Sequence, residues 1–374
     1  MQAESAPPIP YVNLAAQVAE EAADLSALLI KVVSRGDHVG GEEIGLLEQE
    51  LAAQIGVAQV VALKSGTDAL VLTLKALGIG PGDEVITPPN SFIASTAAIV
   101  HVGAKPVFAD VGPDQNIDPE AVRRAITPNT RALMPVHLTG RMCEMDALSD
   151  IAEAHGLFIL EDAAQSIGSS FHGRASGAFG KAGCFSTHPL KNLNALGDGG
   201  FVSTDDVALA ERLRRLRNHG MINRETVVEF GFVSRMDTLQ AAVLRYRLTR
   251  LPDLIAKRQR NAALYRELLD PRHIYMPPVR ANTVDTYHTF VIQTERREAL
   301  KAHLAAHGIG TAIHYPVPIH LQPAAASLGY GRGDFPVTEQ QASRILTLPV
   351  NQFMAEDDVR RVAQVTNQFF EQAA

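Results

Sequence analysis

The sequence predicts an α/β fold, a large domain with a mostly parallel central sheet flanked by helices, plus a smaller C-terminal α+β domain. Three observations carry this reading. Short apolar segments alternate with segments of helical period from about residue 58 to 210, the pattern of βα units whose strands are covered on both faces. The chain has 374 residues, enough for one large core and a companion. Prolines at 252, 271, 277 and 278 then break the alternation. The predicted division is therefore 1–251 for the large domain and 252–374 for the small one.

Residues 60–63 read as the first strand and 68–77 as a helix stopped by Gly78. Residues 85–87, 106–111 and 133–136 are further apolar runs bounded by Gly, Pro or Asp, the signature of short strands. Ala147, Leu148, Ile151 and Ala152 recur at helical spacing, closed by His155-Gly156, an end signal. Residues 157–160, 184–187 and 201–203 complete the strand set. Helices are expected over 238–250 and 253–269, with Pro252 between them, then a strand at 289–293 and helices at 298–307 and 356–370.

Apolar residues make up 46% of the chain and charged residues 20%, an ordinary globular balance. The net charge of -7 argues against a nucleic-acid partner, since such proteins carry a basic footprint. It leaves room for a small anion, which local geometry can hold. The two cysteines, Cys143 and Cys184, imply no disulfide framework and read as small buried apolar residues. Residues 1–10 lack the apolar stretch of a secretory signal. Residues 92–100 are too short to span a bilayer and include Ser95 and Thr96. The expectation is a cytoplasmic protein with no membrane partner.

Four stations carry chemistry. Lys64-Ser65-Gly66-Thr67-Asp68 lies where a strand ends and a helix begins. Free amides and the positive end of the helix dipole meet there, so an anion can bind, although the same residues also make an ordinary capped helix start. Glu161-Asp162 follows an apolar strand. Strand alternation sends the two carboxylates to opposite sides, so one can face the crevice at a sheet's carboxyl end. There it could keep a pyridinium nitrogen protonated, or it could merely cap a turn.

Ser186-Thr187-His188-Pro189-Leu190-Lys191-Asn192-Leu193 precedes Gly197-Asp198-Gly199-Gly200. If enclosed, Lys191 would have a lowered pKa and act as a nucleophile; otherwise it is a loop lysine. Asn90-Ser91-Phe92 places an aromatic at a strand end, either to stack on a flat ring or to fill core.

Two competing chemistries are discounted. A nicotinamide site needs Gly-x-Gly-x-x-Gly after a strand, and Gly78-Ile79-Gly80-Pro81-Gly82 follows a helix with the wrong spacing. No metal is expected: His303 and His307 lie one helical turn apart without a His-Glu-x-x-His context, and His307 before Gly308 suits a helix C-terminus.

In order, Ser65-Gly66-Thr67-Asp68-Ala69-Leu70, Glu161-Asp162-Ala163-Ala164-Gln165, and Ser186 through Lys191-Asn192-Leu193 to Gly197-Asp198-Gly199-Gly200 resemble the DegT/DnrJ/StrS family of sugar aminotransferases. The likeness continues through Leu216-Arg217-Asn218-His219-Gly220, Asp237-Thr238-Leu239-Gln240, His314-Tyr315-Pro316 with His320, Gly333-Asp334-Phe335-Pro336 and Leu346-Thr347-Leu348-Pro349. The resemblance implies a fold-type-I enzyme dependent on pyridoxal 5′-phosphate (PLP) and working as a homodimer. Lys191 would bind the cofactor as a Schiff base and shuttle a proton, and Asp162 would pair with the pyridinium nitrogen. Gln165 would contact the ring hydroxyl, Phe92 would stack on the ring, and Gly66, Thr67 and Ser186 would hold the phosphate. His314, Tyr315 and His320 would lie near the substrate mouth.

The implied reaction moves an amino group from L-glutamate to a keto-sugar, nucleotide-linked, in two half-reactions. A keto-cyclitol acceptor and a PLP-binding regulator without turnover are the alternatives. Two positions bear on these expectations. Val233 stands where family members commonly carry an asparagine that reaches the cofactor phosphate of the partner subunit, and Arg235 is the nearby candidate donor. One branch of the family replaces the lysine by histidine and becomes a dehydratase; this chain has His188, but Lys191 is also present.

Overall fold

Seven strands form the central sheet of the computed structural model, which describes residues 7–372. Residues 1–6, part of the segment read as free of a secretory signal, lie outside the described residues. In chain order the first strands are β1 (Gln59–Leu63), β2 (Glu84–Thr87), β3 (Lys105–Phe108), β4 (Thr130–Leu133) and β5 (Phe158–Asp162). A small hairpin of β6 (Ser170–Phe171) and β7 (Arg174–Ala175) follows, then β8 (Ala182–Ser186) and β9 (Gly200–Thr204).

The spatial order is β1-β9-β8-β5-β4-β2-β3. The pairs β8–β5, β5–β4, β4–β2 and β2–β3 are parallel, while β9 runs antiparallel to both β1 and β8. The sheet is thus mostly parallel, with one reversed strand.

Burial on both faces explains why β1, β2, β5 and β9 read as continuous apolar runs. On one face Leu70 and Leu74 of the helix Gly66–Ala76, Ala98 and Ile99 of the helix Ile93–His101, and Leu209 and Leu213 of the helix Val207–Leu216 pack on Val61, Leu160 and Val202. On the other face Leu47 and Leu51 of the helix Glu42–Ile55 and Leu244 of the helix Thr238–Leu248 cover Val60, Phe185 and Phe201. The long helix Leu14–Arg35 is fastened beside them by a buried ion pair, Arg247 Nη2 to Glu21 Oε2 at 2.6 Å.

One strand lies elsewhere than expected. The run predicted at 133–136 is extended, but ladder pairing occupies Thr130–Leu133. Pro135 has no N–H to donate, so regular pairing stops before it. The segment still runs beside its neighbours, with Met134 N bonded to Ile86 O and Asp162 N to Pro135 O.

A second core lies in the C-terminal part. β10 (Thr283–Val284) joins β6, and β11 (Phe290–Gln293) pairs antiparallel with β12 (Ile345–Leu348). Phe290, Ile292, Leu346 and Leu348 pack against Tyr265 of the helix Leu251–Leu268, Leu300 and Leu304 of the helix Arg297–Ala306, and Val359 and Val362 of the helix Glu356–Glu371. The helix Leu251–Leu268 bridges the two cores: Leu251 belongs to the first, Ala262 and Tyr265 to the second. No helix among the described residues is long and apolar enough to cross a membrane.

Candidate active site

A cavity of about 450 Å³ opens where β5 and β8 end, facing the start of the helix Gly66–Ala76. Gly66, Thr67, Phe92, Asp162, Gln165, Ser186 and Lys191, named from sequence, all line it, as do His314 and Tyr315.

The helix start forms an anion cradle. Ser65 is the N-cap, its Oγ accepting from Asp68 N at 3.0 Å. The amides of Gly66 and Thr67, one and two residues further on, have no partner within the helix. With the helix dipole they favour a negative group, an effect of about 0.3–1 kcal/mol from the dipole alone. A Cβ on Gly66 would sit 2.7 Å from Ser186 Cβ and 3.1 Å from Ser186 Cα. Only glycine lets the helix start come this close to β8, and that approach puts the Ser186 hydroxyl beside the same amides.

The two carboxylates closing β5 do point apart. Glu161 turns away from the cavity and accepts from the amides of Gly177, Phe179 and Gly180 at 2.7–2.8 Å, with His137 Nε2 at 3.0 Å. It braces the chain entering β8. Asp162 faces the cavity, accepting from Ser95 Oγ at 2.7 Å and from Ala164 N at 3.2 Å. Burial raises its pKa, opposed by the Ser95 bond, the Ala164 amide and the positive charge of Lys191.

Lys191 sits on the loop after β8. Ties from Thr187 N to Gly199 O, Ala195 N to Thr187 O and Lys191 N to His188 O fold that loop over itself. Asn192 Nδ2 fastens it to Thr286 O. Enclosure lowers the Lys191 pKa to about 8 against the opposing pull of Asp162, so a useful fraction of neutral amine exists near neutrality.

Phe92 is 55% exposed at the rim, its ring 5.8 Å from that of Tyr315. Burial lifts the Tyr315 phenol to about 12 and lowers His314 to about 4. The His314 Nδ1 lies 3.0 Å from Thr347 Oγ1. Gln165 Oε1 accepts from Thr139 N at 2.7 Å, which orients its amide on the cavity wall.

His320, expected near the substrate mouth, does not line this cavity. The turn Ile319–Leu321 is drawn aside by the bond from Ile319 N to Pro89 O, and His320 is 2% exposed. Its Nε2 meets Glu339 Oε1 at 3.1 Å and its ring packs edge-on against Phe335. Val233 is exposed on a loop and bridged to Asn218, and Arg235 Nη1 donates to Asn218 Oδ1 at 3.3 Å within the same chain. His307 ends its helix, with Nδ1 2.8 Å from His303 O. Both cysteines are buried, and burial pushes their thiols up, away from nucleophilic use.

Sequence reasoning missed Tyr11, Ser95, Arg258, His288 and Asn351. Tyr11, Arg258, His288 and Asn351 line the cavity, and Ser95 bonds Asp162 beneath it. Tyr11 arrives on an N-terminal arm that pairs Ile9 with Ile309 and is held by Asn351 Nδ2 on the carbonyls of Pro10 and Tyr11. A signal existed for Arg258: Arg258, Asn261 and Tyr265 form a polar stripe along an otherwise core-facing helix side, and all three bond backbone carbonyls.

An enclosed amine, a buried carboxylate and a helix-start anion cradle around one cavity define a group-transfer enzyme suited to a flat, phosphate-bearing cofactor. The chain belongs to the DegT/DnrJ/EryC1/StrS aminotransferase family, whose model matches residues 19–366. It is 42% identical over 367 residues to a dTDP-3-amino-3,4,6-trideoxy-α-D-glucose transaminase of Streptomyces venezuelae, covering 98% of this chain and 97% of that one. It is 43% identical over 351 residues to the erythromycin biosynthesis sensory transduction protein EryC1 of Saccharopolyspora erythraea, covering 93% and 96%. The crystal structure of S. venezuelae DesV in complex with a ketimine intermediate superposes with a TM-score of 0.95 at 42% identity, covering 98% of this chain and 99% of that one.

Proposed function

We propose that this chain is a PLP-dependent aminotransferase that moves the amino group of L-glutamate to a nucleotide-linked keto-sugar in amino-sugar biosynthesis, in two half-reactions. The observation that carries this reading is the convergence of Lys191, Asp162 and the Gly66–Thr67–Ser186 cradle on one cavity. The transaminase at 42% identity, which by name acts on a dTDP-sugar, supports the acceptor class.

The residues fit the cofactor. Gly66 is the one residue type that the approach to Ser186 admits, and the free amides there suit a phosphate. Asp162, a buried carboxyl facing the cavity, suits a pyridinium nitrogen, and Lys191 Nζ, its pKa lowered to about 8, suits covalent attachment to an aldehyde carbon. When bound, PLP supplies an electron sink for the carbon that loses and regains a proton. Asp162 would hold the ring nitrogen and favour its protonated form through opposite charge. Ser95 and the Ala164 amide oppose the rise that burial imposes on the Asp162 pKa. Lys191, with its amine pKa lowered to about 8, would serve as the base for that proton. Phe92 and Tyr315 cover the rim and limit water there.

A homodimer is part of the proposal. The loop after the helix Val207–Leu216 exposes Ile222, Val227, Val228, Phe230 and Phe232, with Phe230 94% exposed. An apolar surface of this kind favours a protein partner. A regulator without turnover, as the name of EryC1 suggests for that relative, has no use for both a covalent anchor and an electron-sink partner.

The test is the visible absorption of the purified protein before and after L-glutamate. A yellow band that bleaches on glutamate supports the first half-reaction. A band that ignores glutamate turns the assignment toward another donor or a binding role, and no chromophore with excess PLP removes the role of Lys191.

A further inference from the structure

Among the described residues three arginines are buried to less than 10% exposure: Arg141, Arg247 and Arg258. Two have carboxylate partners. Arg141 pairs with Asp114 and Asp285, and Arg247 with Glu21. Arg258, 7% exposed and on the cavity wall, bonds only neutral acceptors. Its Nη1 donates to the carbonyls of Tyr287 and His288 at 3.1 Å, and its Nη2 to Gln352 Oε1 at 3.1 Å. A buried charge without a counter-ion is costly, and Arg258 stays charged near neutrality, although burial lowers it to about 10.

A guanidinium offers five N–H groups. Nη1 spends both of its own, Nη2 spends one, and Nε–H has no partner. Nε is itself buried, so a carboxylate in the cavity would meet the guanidinium at Nη2. The groups around it add no competing anion. Burial keeps the Tyr11 phenol protonated, so it remains a donor. Burial also holds His288 and His314 neutral. The carboxylates on the cavity wall are Asp162, engaged by Ser95 and Ala164, and the exposed Asp198. The phosphate cradle belongs to other elements, at Gly66, Thr67 and Ser186.

We propose that Arg258, a guanidinium on the cavity wall that no carboxylate neutralises, binds a carboxylate of the amino-group donor with Tyr11 on the same wall, and so selects an amino acid over a plain amine. This rests on the aminotransferase reading and identifies the residue behind donor choice. A carboxylate fits better than a nucleotide diphosphate because the guanidinium is fixed by three bonds and has few donors left to offer.

The experiment is calorimetric titration of the holoenzyme with glutarate, a dicarboxylate of glutamate's length with no amine to react, and separately with dTDP and UDP. For Arg258→Gln the expected result is at least tenfold weaker glutarate binding, with whichever nucleotide the wild type binds held within twofold. The glutamate concentration for half-bleaching should rise by the same factor as the glutarate constant. Arg258→Lys keeps the charge but lacks the planar guanidinium. It should fold even if the glutamine variant does not, and still lose glutarate binding at least fivefold.

Unchanged glutarate affinity in either folded variant overturns the proposal. So does a loss of nucleotide affinity in step with glutarate, which would assign Arg258 to a diphosphate or to general structure. Failure of the wild type to bind glutarate while glutamate still bleaches the chromophore overturns it too and leaves the aminotransferase reading standing. Absence of any chromophore strikes that reading instead.

Discussion

Ser95 Oγ donates to Asp162 Oδ2 at 2.7 Å, and Ser91 Oγ donates in turn to Ser95 Oγ at 3.1 Å. All three side chains are buried, so this short chain, with the Ala164 amide, supplies the hydrogen bonds that hold the Asp162 charge. The bond to Ser95 opposes the rise that burial imposes on the Asp162 pKa.

Ser95→Ala should therefore raise the Asp162 pKa further and move the acid limb of the pH–rate profile to higher pH. The sign follows from the ionised form being the active one: without the bond, a higher pH is needed to reach it. A hydrogen bond to a charged group contributes about 1.5–3 kcal/mol. The turnover number should fall roughly tenfold to a hundredfold if that difference is expressed in the transition state. A profile superimposable on wild type would remove Ser95 from the tuning of Asp162.

Lys191 predicts a second pH dependence. Capture of PLP by the apo-protein needs the neutral amine, and enclosure brings its pKa to about 8. The capture rate should climb as pH rises toward about 8 and level off above it, where an exposed lysine would keep climbing past pH 10. Stopped-flow absorbance of PLP uptake measures this directly, and Lys191→Ala should give no covalent chromophore.

His320→Ala should leave turnover within about twofold of wild type and lower thermal stability. It removes a buried ring packed on Phe335 and leaves Glu339 with one partner fewer. Losing one partner of a buried polar contact costs about 1–3 kcal/mol. Thermal denaturation beside steady-state kinetics separates this from a substrate-mouth role, which would raise KM instead.

The parts of the site legible in the sequence are those made by consecutive residues. Ser65-Gly66-Thr67, Glu161-Asp162 and the run from Ser186 to Lys191 each sit at one strand end, and the period-2 geometry of β5 sends Asp162 inward without tertiary information. Tyr11, Arg258, His288 and Asn351 come from four distant segments and meet only because the helix Leu251–Leu268 bridges two cores while the N-terminal arm docks beside it. His320, close in sequence to His314 and Tyr315, lies off the cavity lining, on a turn whose Ile319 N bonds Pro89 O. The alternation of elements was legible because both sheet faces are covered. The position of β4 was obscured by polar Thr130 and Arg131 at its start and by the apolar but unpaired stretch around Pro135.

Gly66→Ala tests the cradle itself. The added methyl would meet the Cβ and Cα of Ser186, at 2.7 Å and 3.1 Å. One of these is backbone of a central strand, so the neighbour cannot swing aside as a flexible side chain would. The helix start must retreat, and the amides of Gly66 and Thr67 retreat with it. Hydrogen bonds to a charged group fall off steeply with distance and angle, so PLP affinity should drop at least tenfold by equilibrium dialysis. Because Leu70 and Leu74 anchor the same helix in the core, far-ultraviolet circular dichroism should remain that of wild type. An unchanged PLP affinity in the folded variant would place the phosphate elsewhere. Lost affinity together with a collapsed spectrum would show that the close approach to Ser186 serves the fold before it serves the cofactor.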